Sequence, residues 1–248
     1  MKSLESLTTG CINLLHKNNL LKSLIRSELI KTIHSKIIVE EDVKKNLMSQ
    51  FMQKIDITDK IKHDEWLENN NLNKNDLENL VLANIRSKEY CKNNFDHQVE
   101  ARFLERKNEL DIVVYSLIRV KEFFLARELY LRLIEKEAEF GDLASNYSEG
   151  IENKTRGIIG PAPIGRAHPR IMEILKKLKA GEVHAPILID NFYLIARLEY
   201  YQSARLDDFM REKMREELFN DWLEKECNII NDNILERSSV KNNIMKPS

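Results

Sequence analysis

Apolar side chains recur at three- and four-residue steps through the first part of the chain, the spacing typical of helices that bury one face. One stripe runs over residues 20–33, a second over 43–52 and a third over 77–85, with Lys and Glu between them. Residues 11–140 contain neither Gly nor Pro, the two residues least compatible with helix interiors. The pattern therefore predicts a helical domain over residues 1–108.

Short runs of β-branched and aromatic residues then replace the helical spacing and predict strands. The predicted strands are 111–120, 185–189 and 192–200. Asp190 and Asn191 lie between the last two, and such a pair is typical of a tight turn. Helical spacing returns between the first and second strands. Residues 109–202 are thus predicted to form a small antiparallel sheet surrounded by helices.

A last amphipathic stripe follows the predicted sheet and reaches about residue 230. We predict that residues 203–230 form a helix that packs on the N-terminal domain, because its apolar face needs a partner. The Asn- and Ser-rich residues 231–248 are predicted to form a flexible tail. The predicted fold class of the whole chain is α+β.

The composition narrows the classes of partner and cofactor. A formal net charge of -1 argues against nucleic-acid binding, because domains with that function usually carry a basic surface. Cys11, Cys91 and Cys227 lie far apart and the 6 histidines are scattered. Neither a disulfide framework nor a zinc site is therefore predicted, and we expect no cofactor and no metal. The oligomeric state does not follow from the sequence.

The N-terminal residues lack the features of an export signal, since they contain no uninterrupted apolar core and no small-residue cleavage site. No later segment approaches the run of about 18 apolar residues that a membrane helix needs. We therefore expect a cytoplasmic protein without a transmembrane segment.

Glycine and proline are concentrated in one stretch of the chain. Six of the 7 glycines lie between Gly141 and Gly181, and four of the 5 prolines lie between Pro161 and Pro186. These residues are needed where a chain turns tightly or brings its backbone close to a ligand. The stretch is therefore the part of the chain where we expect the functional surface.

Three phrases in this stretch carry a resemblance to a known family. They are FGDLASNYS at Phe140–Ser148, the R-G-x-x-G turn at Arg156–Gly160 and G-E-V-x-x-P-I at Gly181–Ile187. Together with the closing strand, they resemble the parvulin family of peptidyl-prolyl cis/trans isomerases. The flanking helices are similar to those of SurA-type chaperones, and the segment before the phrases resembles a group of cyanobacterial parvulin-like proteins. The resemblance implies that the clients are unfolded or proline-containing polypeptides.

The resemblance also implies where catalytic groups would lie. The two facing histidines of active parvulins correspond to Ser116 and Leu194 in this chain. The Cys or Asp that follows the Y-S phrase corresponds to Gly150, or to Glu149 if the register shifts by one residue. All these positions are substituted, so the polar centre of the family is largely missing here.

The apolar wall that the resemblance implies is partly kept. The Leu, Met and Phe of the family pocket correspond to Ile159, Ala167 and Ile171. Further candidate substrate-binding residues are Tyr115, Ala162 and Asn191.

The substitutions leave two hypotheses. In the first, the protein is a foldase or chaperone of the isomerase family with a degenerate site and weak activity. In the second, it is a catalytically inactive parvulin-fold chaperone or docking module. The hydroxyl groups of Tyr115, Ser116 and Tyr193 would replace the missing imidazoles only if they point inward. Tyr193 is expected to face away from Leu194, since neighbouring residues on a strand point to opposite sides.

Overall fold

A computed structural model describes residues 2–57 and 59–244 and divides the chain into two compact units. The helical unit contains the residues through Glu100 together with those from Asp207 onward, and the sheet unit is Ala101–Leu206. The α+β class predicted from the sequence is confirmed. The domain limits predicted at 108/109 and 202/203 remain predictions.

The helices in the described part of the chain are numbered in chain order. They are α1 Lys2–Glu5, α2 Thr9–Lys17, α3 Leu21–His34, α4 Glu41–Lys54, α5 Lys60–Asn69, α6 Lys74–Phe95, α7 Val99–Leu110, α8 Phe123–Ile134, α9 Phe140–Tyr147, α10 Pro169–Leu175 and α11 Asp208–Ile244. Short 3-10 turns lie at Asp96–Gln98, Ile151–Thr155 and Ile164–Arg166.

The core of the helical unit lies where α3, α6 and α11 meet. Leu21, Ile25 and Leu223 are almost fully buried in it, and the Phe219 and Trp222 rings stack with centroids 6.0 Å apart. Burial of such side chains is the main favourable term in folding. The helical unit is therefore held together by apolar contacts between its early helices and the last helix of the chain.

Helix α11 extends well past its predicted end at residue 230. Residues 231–244 are helical, so the prediction that a flexible tail begins at 231 is wrong for this segment. The reason is that apolar positions continue there: Ile234 is buried in the helical core and Leu235 packs against it. The last part of the predicted tail, 245–248, lies outside the described residues.

The sheet unit is built on one antiparallel sheet in the described residues. Its strands are β1 Ile112–Val120, β2 Ile158–Pro163, β3 Val183–Ile189 and β4 Phe192–Gln202, in the order β2-β1-β4-β3. Strand β2 was not predicted, because Gly160, Pro161 and Pro163 are residues that usually end strands. It lies at the edge of the sheet, where a residue without an N–H is tolerated.

The two sides of the sheet carry separate apolar clusters. The side called the α10 face here consists of Val113, Tyr115, Leu117, Leu194, Ala196 and Leu198, which pack with Ile171 and Leu175 of α10. The other side, the α8/α9 face, consists of Ile118, Val120 and Ile195, which pack with α8 and α9. Strand β1 is therefore buried on both sides.

A buried carboxylate joins the start of β1 to the end of β4, the two central strands of the sheet. Asp111, which precedes β1, accepts a hydrogen bond from the Ala204 N–H at 2.9 Å and another from the Tyr201 hydroxyl at the end of β4. Burial of the phenol and its hydrogen bond to Asp111 raise the pKa of Tyr201 from 10.0 to about 12. The phenol is therefore a donor throughout the neutral range.

We predict that Tyr201→Phe lowers the stability of the sheet unit by about 1–2 kcal/mol, because it leaves a buried carboxylate oxygen without its donor. Hydrogen exchange of the β1 and β4 amides is the suitable measurement. Tryptophan fluorescence would report on the other unit, since Trp66 and Trp222 both belong to the helical unit. Tyr200→Phe is the matched control, because Tyr200 is half exposed. Equal losses of stability in both variants would contradict a stabilising role for the Tyr201–Asp111 hydrogen bond.

The pH dependence of this contact has a definite sign. Because the pKa of Tyr201 is higher in the folded state, at about 12, than the ordinary value near 10, its contribution to stability is complete below about pH 10. The contribution is lost as the pH rises toward 12. The measurement is phenolate absorbance after rapid pH jumps. The absorbance step at the highest pH should be missing in Tyr201→Phe and present in Tyr200→Phe.

Candidate functional site

Several of the predicted pocket residues meet on the α10 face. Ile159 of β2 lies opposite Tyr115 of β1, and Ala162 lies opposite Val113. Ala167 packs against the same cluster and keeps part of its surface exposed, as Ile159 does. The face therefore offers a partly open apolar edge formed by short side chains.

Two other predicted residues form the floor of this face. Ile171 of α10 is 3% exposed and Leu194 of β4 is 6% exposed. Both belong to the same buried cluster as Tyr115. Because these side chains are nearly buried, a proline ring could contact only the outer edge of the cluster unless α10 moved away.

Ser116 lies on the opposite side of the sheet from Leu194. Its hydroxyl donates to the carboxylate of Glu199, which also accepts the Arg197 Nε–H at 2.7 Å. The Arg197 guanidinium in turn lies 4.9 Å from the centre of the Phe140 ring, on the α8/α9 face. The structure therefore does not bring Ser116 and Leu194 together.

The residues of β1 that share the face of Leu194 are Tyr115 and Leu117. A strand repeats its orientation every second residue, so a one-residue error in assigning the first histidine position moves the side chain to the other face. The Tyr193 ring packs with Phe123 at 5.2 Å between centroids, against the α8/α9 cluster. Neither Ser116 nor Tyr193 can therefore replace an imidazole on the α10 face.

Gly150 and Glu149 lie at the start of the 3-10 turn Ile151–Thr155. The Glu149 carboxylate pairs with Lys121 Nζ at 3.1 Å and also accepts the Lys121 N–H at 2.9 Å. These contacts lower the pKa of Glu149. At Gly150, the space that a side chain would need is occupied by the carboxylate of Glu152. The acidic group nearest to position 150 is therefore one that the sequence did not single out.

Glu152 is a buried carboxylate, with only 3% of its surface exposed. Its Oε1 accepts the Ser148 hydroxyl at 2.8 Å and lies 3.5 Å from Arg119 Nε. The Ser148 oxygen also accepts the Arg119 N–H at 3.0 Å, which ties the turn to β1. No periodic pattern could have identified Glu152, because it lies in an irregular turn where burial has no sequence signature.

Tyr115 brings a buried polar group to the α10 face. It is 8% exposed, and no other described residue hydrogen-bonds to its hydroxyl. Burial raises its pKa, the negative charge of Glu152 adds to this effect and Arg119 opposes it. The phenol therefore stays protonated at neutral pH and retains a free O–H donor.

The remaining predicted position, Asn191, is not part of this cluster. Asn191 is exposed at the turn between β3 and β4. The His168 ring accepts the Arg170 N–H at 3.3 Å and caps α10, and His184 Nδ1 lies 2.6 Å from the carbonyl oxygen of Ala185. These contacts are local and structural.

A cavity of about 670 Å³ lies in the helical unit. It is lined by α3, α6 and α11, and it contains His34 and Ser87, whose side chains lie 2.8 Å apart. Burial raises the pKa of the nearby Cys91 thiol to about 11, so this cysteine is not a nucleophile at neutral pH. The cavity therefore offers a contact surface rather than a reactive centre.

Neither a metal-binding cluster nor a membrane-spanning helix is present in the described residues. Among them, no group of three or more His, Cys, Asp or Glu side chains is placed to hold a metal ion. No helix in the described ranges combines the length and apolar character needed to cross a membrane.

Comparison with known families identifies the sheet unit. Residues 121–200 match the family model of the rotamase domain, the PPIC-type PPIase. The chain therefore contains a parvulin domain. This confirms the resemblance carried by the three sequence phrases, and it places the α10 face, Gly150 and Glu152 within or beside that domain. No curated protein matches the chain.

The chain is also similar to solved structures, at low identity and low TM-score. The peptidylprolyl isomerase PrsA from Bacillus cereus is 18% identical, with a TM-score of 0.47, over 95% of this chain and 87% of its own. PrsA from Bacillus anthracis is 19% identical, with a TM-score of 0.44, over 91% of this chain and 100% of its own. The parvulin domain of PpiD from E. coli is 23% identical, with a TM-score of 0.34, over 40% of this chain and 95% of its own.

We predict that Ser116→Ala lowers the stability of the parvulin domain by about 1 kcal/mol, because it removes a buried hydrogen bond while Glu199 keeps its Arg197 partner. Hydrogen exchange of the β1 amides measures the change. Ser145→Ala is the control, because the Ser145 hydroxyl makes only a long 3.4 Å contact on an exposed surface. A Ser116→Ala protein as stable as the control would contradict a structural role for this hydroxyl.

Proposed function

We propose that the protein is a foldase or chaperone of the PPIase family that binds proline-containing or extended polypeptide on the α10 face and isomerises prolyl bonds weakly. The match of residues 121–200 to the PPIC-type domain carries this proposal. The apolar edge at Ile159 and Ala167, with the free hydroxyl of Tyr115 beside it, supports the location. The clients are unfolded or proline-containing chains, and no nucleic acid, cofactor or metal is required. A cytoplasmic location remains a prediction.

Prolyl isomerisation needs no covalent step. The C–N bond must rotate over a barrier of about 18–20 kcal/mol, and during rotation the nitrogen lone pair ceases to be shared with the carbonyl. A donor placed near that nitrogen stabilises the twisted amide more than the planar one, and only such differential interactions accelerate the reaction. In this proposal the donor is the Tyr115 hydroxyl.

The magnitude of this effect explains why the proposed activity is weak. One neutral hydrogen bond contributes about 1–1.5 kcal/mol, which corresponds to roughly a tenfold change in rate. The family positions at Ser116, Gly150 and Leu194 supply no imidazole, thiol or carboxylate of their own. Binding and desolvation by the apolar residues must therefore provide most of any acceleration.

A specific observation favours the alternative, a catalytically inactive parvulin-fold chaperone or docking module. Ile171 and Leu194 are nearly buried, so the deep part of the proline pocket is filled by the protein itself. A client would then bind along the edge of the α10 face without having its prolyl bond enclosed.

The first test separates these two functions. NMR exchange spectroscopy on a short Xaa-Pro peptide with the full-length chain should show cis/trans exchange cross-peaks that are absent without protein. Peptide shift changes without exchange would establish the inactive alternative. Neither shifts nor exchange at millimolar peptide would contradict both forms of the proposal.

We predict that Ile171→Asp abolishes peptide binding, because it places an unpaired charge under the binding edge. Leu131→Asp is the control, since Leu131 lies 41% exposed on α8. Binding is measured by fluorescence titration with a labelled proline peptide, after circular dichroism has verified the helix content of both variants. Ile171→Ala, which adds no charge, serves as a second variant if Ile171→Asp does not fold.

We predict that Tyr115→Phe lowers the exchange rate by about tenfold, the value of one hydrogen bond, and changes peptide affinity by less than about twofold. Tyr200→Phe should change neither quantity. An unchanged exchange rate in Tyr115→Phe would remove this phenol from the proposed mechanism.

A further inference from the structure

One oxygen of the buried Glu152 carboxylate is unused. Oε1 receives the Ser148 hydroxyl and faces Arg119, but no described residue donates a hydrogen bond to Oε2. A buried carboxylate normally accepts several hydrogen bonds, because removing its charge from water is costly. The second oxygen is thus an acceptor whose partner is not part of the fold.

The free oxygen lies against the backbone of Gly150. Any side chain at 150 would overlap the carboxylate of Glu152, so glycine is needed for the carboxylate to lie where it does. The fully enclosed polar atoms without a hydrogen bond among the described residues include Arg119 Nε but not Glu152 Oε2. Oε2 therefore keeps a small part of its surface exposed.

The Glu152 carboxylate faces a residue on the same side of the sheet as the proposed binding edge. Arg119, which faces Glu152, is paired in the sheet with Leu194, and its guanidinium lies 5.7 Å from the centre of the Phe192 ring. Phe192 packs against the α10 cluster. The charge of Glu152 also reaches Tyr115, whose pKa it raises.

A polypeptide lying across this face cannot pair with the central strand. Strand β1 already pairs with β2 on one side and β4 on the other, so its backbone groups are occupied. The N–H groups of a bound chain that lie over β1 then need side-chain acceptors or water. The polar groups of the α10 cluster are the phenols of Tyr115 and Tyr201, and both serve as donors, Tyr201 to Asp111 and Tyr115 to the client in this proposal.

We propose that Oε2 of Glu152 accepts a backbone N–H of the bound polypeptide, which makes Glu152 a client-binding residue. The inference rests on the proposed function. A backbone N–H fits better than a Lys or Arg side chain, because Arg119 and Lys121 already flank this point, each 5.7 Å from the Phe192 ring. A further cation would be repelled by both.

The test uses the full-length chain and a family of peptides. The parent is acetyl-Ala-Ala-Pro-Ala-Ala-amide, and in each analogue one backbone N–H is replaced by an ester oxygen. Dissociation constants are measured by NMR titration. With the wild-type protein, one analogue should bind about tenfold more weakly than the parent, the cost of one hydrogen bond to a charged acceptor.

Variants of the protein then assign the lost bond to Glu152. Glu152→Gln should weaken binding of the parent by about tenfold and remove the difference between the parent and that analogue. Gly150→Ala, whose methyl group would displace the Glu152 carboxylate, should behave in the same way. Glu173→Gln, the same chemical change at an exposed position of α10, should behave as the wild type.

The outcomes separate this inference from the proposed function. If the wild type binds the parent but no analogue differs from it by more than about twofold, the Glu152 inference is overturned and the proposed function stands. A difference that persists in Glu152→Gln also overturns it. If the wild type does not bind the parent at all, the proposed function itself fails. Should Glu152→Gln not fold, Gly150→Ala and the wild-type series decide the question.

Discussion

Burial of β1 on both faces is the constraint on which the sheet unit depends. Because β1 lies between β2 and β4 and is covered on each side, each of its residues belongs to one of two chemically different surroundings. Even positions such as Ser116 and Ile118 face α8 and α9, whereas Tyr115 and Leu117 face α10. The pleat alone therefore decides which hydroxyl can meet a client and which one is structural.

The turn that follows α9 is held in place by hydrogen bonds to β1. Its backbone is bonded to the strand at two places, from Glu149 N–H to Arg119 O at 2.8 Å and from Leu117 N–H to Gly157 O at 2.9 Å. Gly157 has φ of 83°, and a Cβ added there would lie 2.9 Å from the Ala144 Cβ, so no other residue fits there without strain. These bonds hold Glu152 beneath Gly150, where its desolvation is offset by Ser148 and Arg119.

The sequence predicts the elements better than it predicts the site. Strands rich in β-branched residues, such as β1, were recognisable, while β2 was hidden by Pro161 and Pro163 because edge strands tolerate residues that usually break strands. Phrases such as the R-G-x-x-G turn located the family domain. The sequence did not show which side of the sheet Ser116 faces, because an error of one residue in register moves a side chain to the opposite side. Glu152 was missed because its burial arises from the fold of an irregular turn.

The groups that the structure places beside the apolar edge are better suited to holding a chain than to rotating a bond. An acceptor such as Glu152 Oε2 binds a backbone N–H equally well whether the prolyl bond is planar or twisted, and such uniform binding does not raise the turnover rate. Only a group aimed at the prolyl nitrogen discriminates between the two states, and Tyr115 is the donor that we propose for this role. If this division of roles holds, affinity and isomerisation are controlled by separate side chains, and one can be lost while the other is kept.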